Sequence, residues 1–238
     1  MNKIEQFKKI IRESNNIVFF GGAGVSTESK IPDFRSSDGL YKEKAKVPPE
    51  EILSHHFFLE NTDLFYDFYR SKMLYPDALP NTTHLALAKL EKEGKLKAVI
   101  TQNIDGLHQK AGSVNVLELH GSVLRNYCMK CHKFFGLDKI LETSGVPRCD
   151  CGGVIKPDVV LYEEALDSNV LEKSLYYISK CDTLIIGGTS LTVYPAAGLV
   201  QYFNGKHLII INRDVTSYDN YAELVIQDSL GNVFKELL

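Results

Sequence analysis

The fold follows from one stretch, Ile17-Val18-Phe19-Phe20-Gly21-Gly22-Ala23-Gly24-Val25-Ser26, in which an apolar run ends in a glycine-rich turn. A short apolar run of this kind is typical of a buried strand in a parallel sheet. Glycines at its end let the backbone approach a pyrophosphate, and a helix beginning just after them would direct free N–H groups at that anion. The stretch therefore predicts a nucleotide site at a strand end. The alternative is a turn without a ligand, because two-glycine turns occur in α/β proteins of every function.

The glycine turn differs in two ways from the fingerprint of dinucleotide-binding dehydrogenases. Thr27 stands where the third small residue is expected, and no acidic residue stands clearly at a second strand end to bind the ribose. We therefore expect a dinucleotide site whose chemistry is not hydride transfer. The loop Pro32-Asp33-Phe34-Arg35 offers hydrogen-bonding, stacking and anion-pairing groups, which suit a ligand with an amide, a ring and a phosphate. A plain turn with a surface salt bridge is the alternative for this loop.

The composition is that of an ordinary globular chain. Its 238 residues, of which 44% are hydrophobic and 24% charged, can form one large core with or without a small module. A net charge of −3 gives no electrostatic support for binding a nucleic-acid backbone, so we expect no direct nucleic-acid partner. No apolar run reaches membrane-spanning length, and residues 1–14 mix apolar residues with charges, unlike a signal peptide. These observations predict a cytoplasmic protein without a membrane partner.

Strand-like runs alternate with amphipathic helical stretches along the chain. Strands are predicted at 17–20, 98–101, 116–119, 183–186, 208–212 and 224–226. Helices are predicted at 62–74, 82–93, 170–179 and 196–203. The alternation predicts an α/β fold with a doubly wound, mostly parallel, Rossmann-like sheet, whose ligands bind beyond the carboxyl ends of the strands.

Four of the five cysteines lie in two close pairs, Cys128 with Cys131 and Cys149 with Cys151. This spacing is typical of a zinc ribbon, whose closed tetrahedral thiolate site is structural and not catalytic. Free or redox-active thiols are the alternative, although cytoplasmic cysteine clusters more often hold metal than form disulfides. We expect a small zinc-ribbon domain at 128–155, inserted into a Rossmann-like domain of 1–127 and 156–238 that has a helical insertion at about 42–80.

Polar residues follow the predicted strands at the edge where such sheets bind ligands. Thr101-Gln102-Asn103-Ile104-Asp105 follows one strand. Its amides could hydrogen-bond a ribose or a carboxamide, and Asp105 could favour positive charge developing on a sugar. A helix cap formed by Asn103 or Asp105 is the alternative.

Three further strands also end in small or polar residues. His120 ends one strand and could accept a proton near neutral pH, although a lone histidine is more often structural. Gly188-Thr189-Ser190 and Asn212 end two others with small or polar groups suited to phosphate and ribose. The strand ends together favour a nucleotide site with a proton acceptor in it.

In combination, these motifs resemble those of the sirtuins, which are NAD-dependent protein lysine deacylases, and the resemblance runs over nearly the whole chain. The motifs that carry it are Gly22-Ala23-Gly24-Val25-Ser26, Ile31-Pro32-Asp33-Phe34-Arg35, Thr101-Gln102-Asn103-Ile104-Asp105, His120-Gly121, the four paired cysteines, Gly188-Thr189-Ser190 and Asn212. The resemblance implies an enzyme of the bacterial sirtuin type. It also implies NAD, consumed as a co-substrate, and one structural Zn2+ bound by the four cysteines.

The resemblance also assigns roles to residues of the site. The cofactor-binding residues that it implies are Gly22, Ala23, Gly24, Ser26, Thr27, Asp33, Phe34, Arg35, Gln102, Asn103, Ile104, Asp105, Gly188, Thr189, Ser190 and Asn212. Those of the nicotinamide pocket are Asp33, Asn103, Ile104 and Asp105. Those around the adenosine half are Gly188, Thr189, Ser190 and Asn212. His120 and Asn103 are the catalytic residues that it implies.

In this family the acyl oxygen of an acylated lysine attacks the ribose carbon that bears nicotinamide, and nicotinamide leaves. His120 would then act as a general base through the ribose hydroxyls, giving free lysine and O-acyl-ADP-ribose. The substrate peptide adds as a strand, and the segment 156–164 resembles its docking strand, with Val160 and Tyr162 as substrate-binding residues. Acylated-lysine proteins or peptides are therefore the expected partners, and we expect a monomer.

Two residues depart from the family pattern. Glu163 stands where the family has a glycine after the aromatic residue of the docking strand, and Lys30 replaces the glycine before Ile31. If these positions need a positive φ, the side chains are strained or the loops are reshaped. We expect Glu163 to affect the affinity for the peptide and Lys30 to affect the loop before Ile31.

The preferred acyl group depends on Tyr66-Asp67-Phe68-Tyr69-Arg70. Members that remove succinyl or malonyl groups carry a Tyr-x-x-Arg pair, in which the arginine meets the acyl carboxylate. Here Tyr69 occupies the position of that arginine, and Arg70 comes one residue late, a turn of about 100° on a helix. The sequence favours acetyl or other uncharged acyl groups.

Two rival functions remain open on the sequence alone. One is protein mono-ADP-ribosyl transfer, in which a protein side chain intercepts the activated ribose. The other is a non-catalytic module that senses NAD or uses its zinc ribbon for binding. His120, Asn103 and Asp105 argue against the second.

Overall fold

Six short apolar strands pair side by side in the computed structural model, which describes residues 2–33 and 47–238. They are β1 (Ile17–Gly21), β2 (Leu96–Thr101), β3 (Val116–Glu118), β7 (Thr183–Gly187), β8 (His207–Ile211) and β9 (Leu224–Ile226). Their order is β3-β2-β1-β7-β8-β9, and every pair is parallel. These are the six strands predicted from the sequence, so the predicted α/β fold is confirmed. The strand order reverses between β1 and β7, which opens a crevice at their carboxyl ends.

Helices cover both faces of this sheet. The α-helices of the described residues are α1 (Lys3–Glu13), α2 (Pro49–Ile52), α3 (His55–Glu60), α4 (Thr62–Lys72), α5 (Thr82–Lys92), α6 (Leu107–Lys110), α7 (Leu137–Glu142), α8 (Ser168–Lys180) and α9 (Leu230–Phe234). Phe7, Leu87 and Phe234 pack from α1, α5 and α9 against one face of the sheet. Ile178 of α8 and Leu199 pack against the other. Because both faces are covered, all five residues of β1 are buried.

One predicted helix takes a tighter form, because the segment predicted at 196–203 is the 3-10 helix Ala196–Tyr202. The glycine turn is followed by two single 3-10 turns, Ala23–Val25 and Thr27–Ser29, and not by an α-helix. The N–H of Gly24 donates to the carbonyl of Gly188 at 2.8 Å, across the end of β7.

A second, smaller sheet stands at the side of the first. It is antiparallel, with order β5-β4-β6, and consists of β4 (Gly121–Cys128), β5 (Phe134–Phe135) and β6 (Ile155–Val159). Phe58, Phe65 and Tyr66 of α3 and α4 share a buried cluster with residues of this sheet. The division into a domain of 1–127 and 156–238 and a module of 128–155 stays a prediction. No helix in 2–33 or 47–238 is long and apolar enough to cross a membrane.

Two glycines meet backbone to backbone where β1 and β7 end. A Cβ atom on Gly24 would lie 2.8 Å from the Cα and 2.9 Å from the carbonyl oxygen of Gly188. Gly188 itself has a φ of 61°, which favours glycine. Only glycine at position 24 lets the turn after β1 lie directly on the turn after β7.

We predict that Gly24→Ala forces these two turns apart. The expected result is a loss of about 1–3 kcal/mol of unfolding free energy, as for other overpacked sites, together with weaker nucleotide binding. Denaturant unfolding and calorimetric titration with NAD measure the two effects. Gly136→Ala is the matched control, because Gly136 has a φ of −74° and a Cβ atom added there would meet nothing within 4 Å. An unchanged NAD affinity in Gly24→Ala would contradict the prediction.

Candidate active site

The carboxyl ends of the central strands open into a cleft of about 1100 Å³. Every predicted site residue of NAD and peptide binding that the structure describes lines it: Gly22, Ala23, Gly24, Ser26, Thr27, Asp33, Gln102, Asn103, Ile104, Asp105, His120, Val160, Tyr162, Gly188, Thr189, Ser190 and Asn212. Phe34 and Arg35 lie outside the described residues. The topology therefore brings residues from distant parts of the sequence to one cavity, as expected for a doubly wound sheet.

Ser26 joins the glycine turn to the loop after β2. Its hydroxyl donates to Oδ2 of Asp105 at 2.6 Å and accepts from Nδ2 of Asn103 at 3.0 Å. Oδ1 of Asp105 also accepts from the N–H of Leu107, the first residue of helix α6, at 2.9 Å, and Asp105 lines the cleft. The N-cap residue of α6 is Gly106, so the helix-cap alternative for Asp105 was wrong. Burial raises the pKa of Asp105, and the hydrogen bonds from Ser26 and Leu107 oppose that rise.

The end of β2 is also tied to the end of β7. Nε2 of Gln102 donates to the hydroxyl of Thr189 at 3.0 Å, and the N–H of Gln102 donates to the carbonyl of Gly21. The Thr189 hydroxyl also accepts from the N–H of Leu191 at 3.2 Å. These contacts hold three strand ends in one polar edge of the cleft.

His120 is placed as a proton acceptor. Its Nδ1 lies 3.0 Å from the carbonyl oxygen of Gln102. A carbonyl only accepts, so Nδ1 carries the proton and Nε2 keeps its lone pair. Burial lowers the pKa of His120, and the hydrogen bond to Gln102 partly opposes this effect. The ring is therefore neutral near pH 7, which is the form that a general base requires.

The segment after β6 runs beside His120. The N–H of Val160 donates to the carbonyl of His120 at 3.0 Å, and the N–H of Tyr162 donates to the carbonyl of Leu53 at 2.9 Å. The N–H of His55 in turn donates to the carbonyl of Tyr162 at 3.0 Å. The smaller sheet and the helices α2 and α3 thus meet at the predicted docking strand, next to the predicted base.

The two departures from the family pattern both have left-handed backbone. Lys30 has a φ of 65° and Glu163 a φ of 76°. This conformation costs about 1 to 2 kcal/mol for a residue other than glycine. At Glu163 the carboxylate accepts from the N–H of His56 at 3.1 Å and lies 2.7 Å from Nδ1 of the same residue. The loop keeps its shape because the side chain gains contacts at the start of α3, and those contacts lower the pKa of Glu163.

The four paired cysteines converge. Their Sγ atoms all lie within 4.8 Å of one another, and three of the Sγ–Sγ distances are 3.4, 3.5 and 3.6 Å. A tetrahedral zinc site with Zn–S bonds of about 2.3 Å has Sγ–Sγ distances of roughly 3.8 Å. The donor set and its spacing fit one structural Zn2+. Cys181 is buried elsewhere, at the end of α8.

The residues compared with the Tyr-x-x-Arg pair of desuccinylating members, Tyr66, Tyr69 and Arg70, do not line the cleft. Tyr66 and Tyr69 are fully buried in the cluster of α3 and α4. Nε of Arg70 donates to the carbonyl of Ile140 at 3.0 Å, and its Nη2 donates to the carbonyl of Gly145 at 2.5 Å. The guanidinium is therefore occupied by backbone carbonyls of the segment between β5 and β6. Leu53, Met73, Val123 and Leu161 form an apolar part of the cleft lining.

Several stretches of the cleft were not predicted from the sequence, two of which follow. Val193-Tyr194-Pro195 and the start of α9, with Asp228 and Ser229, also line it. Asp228 and Ser229 follow β9, so the strand-end rule applied to the other strands would have found them. Val193-Tyr194-Pro195 follows no strand and carries no such signal.

Comparison with known proteins identifies what the chain is similar to. The model of the Sir2 family matches residues 22–195. An NAD-dependent protein deacetylase of Clostridium acetobutylicum is 59% identical over 100% of this chain and 99% of the relative. One of Clostridium perfringens is 60% identical, with the same coverage of 100% and 99%. A solved complex of Sir2 with a p53 peptide and NAD+ superposes with a TM-score of 0.88 at 38% identity, covering 99% of this chain and 97% of the other.

We predict that the four cysteines bind one zinc ion per chain and that the order of the segment around them depends on it. A structural zinc site contributes on the order of 10 kcal/mol to ordering such a module, so a strong chelator should unfold it. Metal analysis and near-ultraviolet circular dichroism before and after chelation test this. Cys149→Ser should bind less than one zinc, whereas Cys181→Ser should keep it. A chelated protein with an unchanged spectrum would contradict the prediction.

Proposed function

Because this chain belongs to the Sir2 family, we propose that it removes acyl groups from protein lysine side chains in a reaction that consumes NAD. The observation that carries the proposal is the position of His120. Its neutral ring lies in the same cleft as the glycine turn and the docking strand. With one water consumed as the third reactant, the products would be nicotinamide, free lysine and O-acyl-ADP-ribose.

Each wall of the cleft has a role in this proposal. The glycine turn offers backbone close to the pyrophosphate. The adenosine half would be held by Gly188, Thr189, Ser190 and Asn212. Nicotinamide would be bound by Asp33, Asn103, Ile104 and Asp105. Phe34 and Arg35 are assigned to the adjoining ribose and pyrophosphate. NAD supplies a ribose carbon from which nicotinamide can leave. The contact between Ser26 and Asp105 supports these assignments, because it fixes a carboxylate beside the glycine turn.

His120 would then accept a proton at Nε2. The hydrogen bond from Nδ1 to Gln102 fixes the tautomer that makes this possible. Asn103 is assigned a catalytic role beside it, because its amide is fixed by Ser26 and its side chain is buried. An orientation fixed before substrate binds lowers the cost of reaching the transition state.

The peptide would add as a strand along Val160 and Tyr162. Tyr162 already uses its N–H and carbonyl for Leu53 and His55, so this strand is held in place from the helical insertion. The apolar wall formed by Leu53, Met73 and Val123 favours an uncharged acyl group. Arg70 is held by two carbonyls away from that wall, which supports the same preference.

We further place the protein in the cytoplasm and treat it as a monomer. A thiolate zinc site requires reduced cysteines, which the cytoplasm maintains. All five cysteines are free of disulfides, in agreement with such a compartment.

We predict that the protein removes the acetyl group from an acetyl-lysine peptide, with nicotinamide released in step. His120→Ala should lower kcat at least about 100-fold, the usual contribution of a general base, while NAD still binds. Mass spectrometry of the peptide, nicotinamide release and NAD titration measure these effects. ADP-ribose retained on a protein acceptor without deacylation would select the transferase instead. NAD binding without nicotinamide release would select the non-catalytic module.

The pH dependence of kcat/KM gives a separate prediction for His120. Its pKa lies below the ordinary value of about 6.5, so the ring loses its proton more readily than a free histidine. The neutral base is thus present at pH 6.5 and is lost only as the pH falls further. Rates across pH 5 to 8 should show an acidic limb below 6.5 in the wild type, and His120→Ala should lack that limb. An acidic limb centred above 6.5 would contradict this assignment.

The acyl preference is tested with paired substrates. We predict that acetyl-lysine is preferred to succinyl-lysine by at least about tenfold in kcat/KM, because a carboxylate placed against the apolar wall of Leu53, Met73 and Val123 is desolvated at a cost of several kcal/mol. The two peptides should share one sequence and differ only in the acyl group. Comparable turnover of both would overturn the preference.

A further inference from the structure

Asn81 makes contacts on both sides of the start of helix α5, outside the residues assigned so far. Its Oδ1 accepts from the N–H of Thr83 at 3.0 Å and from that of His84 at 3.5 Å, which caps the helix. Its Nδ2 donates to the carbonyl of Val25 at 2.7 Å and to the hydroxyl of Ser29 at 3.0 Å. One amide therefore joins the helix to both 3-10 turns that follow the glycines.

His84 continues this link towards the loop after β2. The N–H of Asn81 donates to Nδ1 of His84 at 3.2 Å, so Nδ1 carries no proton and the ring is neutral with its proton on Nε2. The ring of His84 packs on that of His108, with centroids 4.7 Å apart. Both side chains are essentially without solvent exposure. Nε2 of His84 and both ring nitrogens of His108 have no hydrogen-bond partner among the described residues, so this contact is made by packing.

His108 lies in α6, whose first N–H, that of Leu107, is bound by Asp105. The glycine turn and the Asn103–Asp105 loop are thus joined twice. Ser26 and Asp105 join them directly, at the cleft. Asn81, His84 and His108 join them again on the side of α5. Asn81 and His84 do not line the cleft, so they act on it only through these two loops.

We propose that Asn81 is a positioning residue that sets the spacing between the glycine turn and the Asn103–Asp105 loop, and so the affinity of the cleft for NAD. The turn is held at Val25 and Ser29 from one side, and Ser26 between them is thereby kept on Asp105. The identity of the ligand rests on the proposed function, whereas the link between the loops does not.

The substitution Asn81→Asp separates this role from helix capping. Aspartate caps helices as well as asparagine does, so the bonds to Thr83 and His84 are kept. It has no Nδ2 donor, and an oxygen would face the carbonyl of Val25 instead. We expect the Kd and KM for NAD to rise about tenfold, the equivalent of about one lost hydrogen bond, while the KM for the acyl-peptide changes less than about twofold. Asn81→Ser, a second capping residue without charge, should give the same result.

Asn2→Asp is the matched control. Asn2 caps helix α1 by accepting from the N–H of Glu5 at 2.8 Å, away from the cleft, so the same change there should leave NAD affinity unaltered. The measurements are calorimetric titration with NAD, steady-state kinetics with NAD and peptide varied separately, and thermal unfolding. Asn81→Ala removes both the helix cap and the hydrogen bonds to Val25 and Ser29. This variant should therefore have a lower unfolding temperature and a lower affinity for NAD.

The outcomes distinguish this inference from the proposed function. An unchanged NAD affinity in Asn81→Asp and Asn81→Ser would overturn the positioning role, as would an equal rise in the KM for NAD and for peptide. A wild-type protein that binds NAD without deacylating peptide would overturn the proposed function, and the calorimetric comparison would still decide the role of Asn81. A wild-type protein that binds no NAD would overturn both.

Discussion

The structure depends on the contact between two turns, one after β1 and one after β7. The N–H of Gly24 donates to the carbonyl of Gly188, and neither position has room for a side chain. A parallel sheet places these strand ends side by side, but only glycine lets the two backbones touch. Beside that contact the chain folds into two 3-10 turns, and Ser26, which lies between them, reaches Asp105.

The folded cleft also shifts the pKa values of two of its side chains, Asp105 and His120. Burial raises the pKa of Asp105 and lowers that of His120, because low exposure disfavours the charged form of each. Hydrogen bonds oppose each shift: those from Ser26 and Leu107 to Asp105, and that from His120 to Gln102. They also fix the orientation of the two side chains. The site therefore holds a carboxyl group and a neutral imidazole ready before any ligand binds.

The main sheet and most of the cleft residues could be predicted from the sequence, for physical reasons that differ between elements. The six strands were predictable because short apolar runs, several of which end in Gly, Asn or Asp, have few other solutions in a buried sheet. The cleft residues followed from them, since parallel strands bring their carboxyl ends to one edge. The contact of Gly24 with the carbonyl of Gly188 could not be predicted, because the two residues are far apart in sequence. The second sheet was also missed, because Gly121–Cys128 is strand-like only when Ile155–Val159 pairs with it.

Glu163 shows why a pattern of residue types is not enough to judge a departure from a family. A non-glycine residue with positive φ costs free energy, and from the sequence the loop had to be either strained or reshaped. The structure keeps the left-handed backbone and adds a pair of contacts from the Glu163 carboxylate to His56 at the start of α3. Glu164, its neighbour, contacts His55 and Lys156 at 2.7 and 3.0 Å. These contacts fasten the docking strand to the helical insertion, so the residue that strains the backbone also offsets part of that strain.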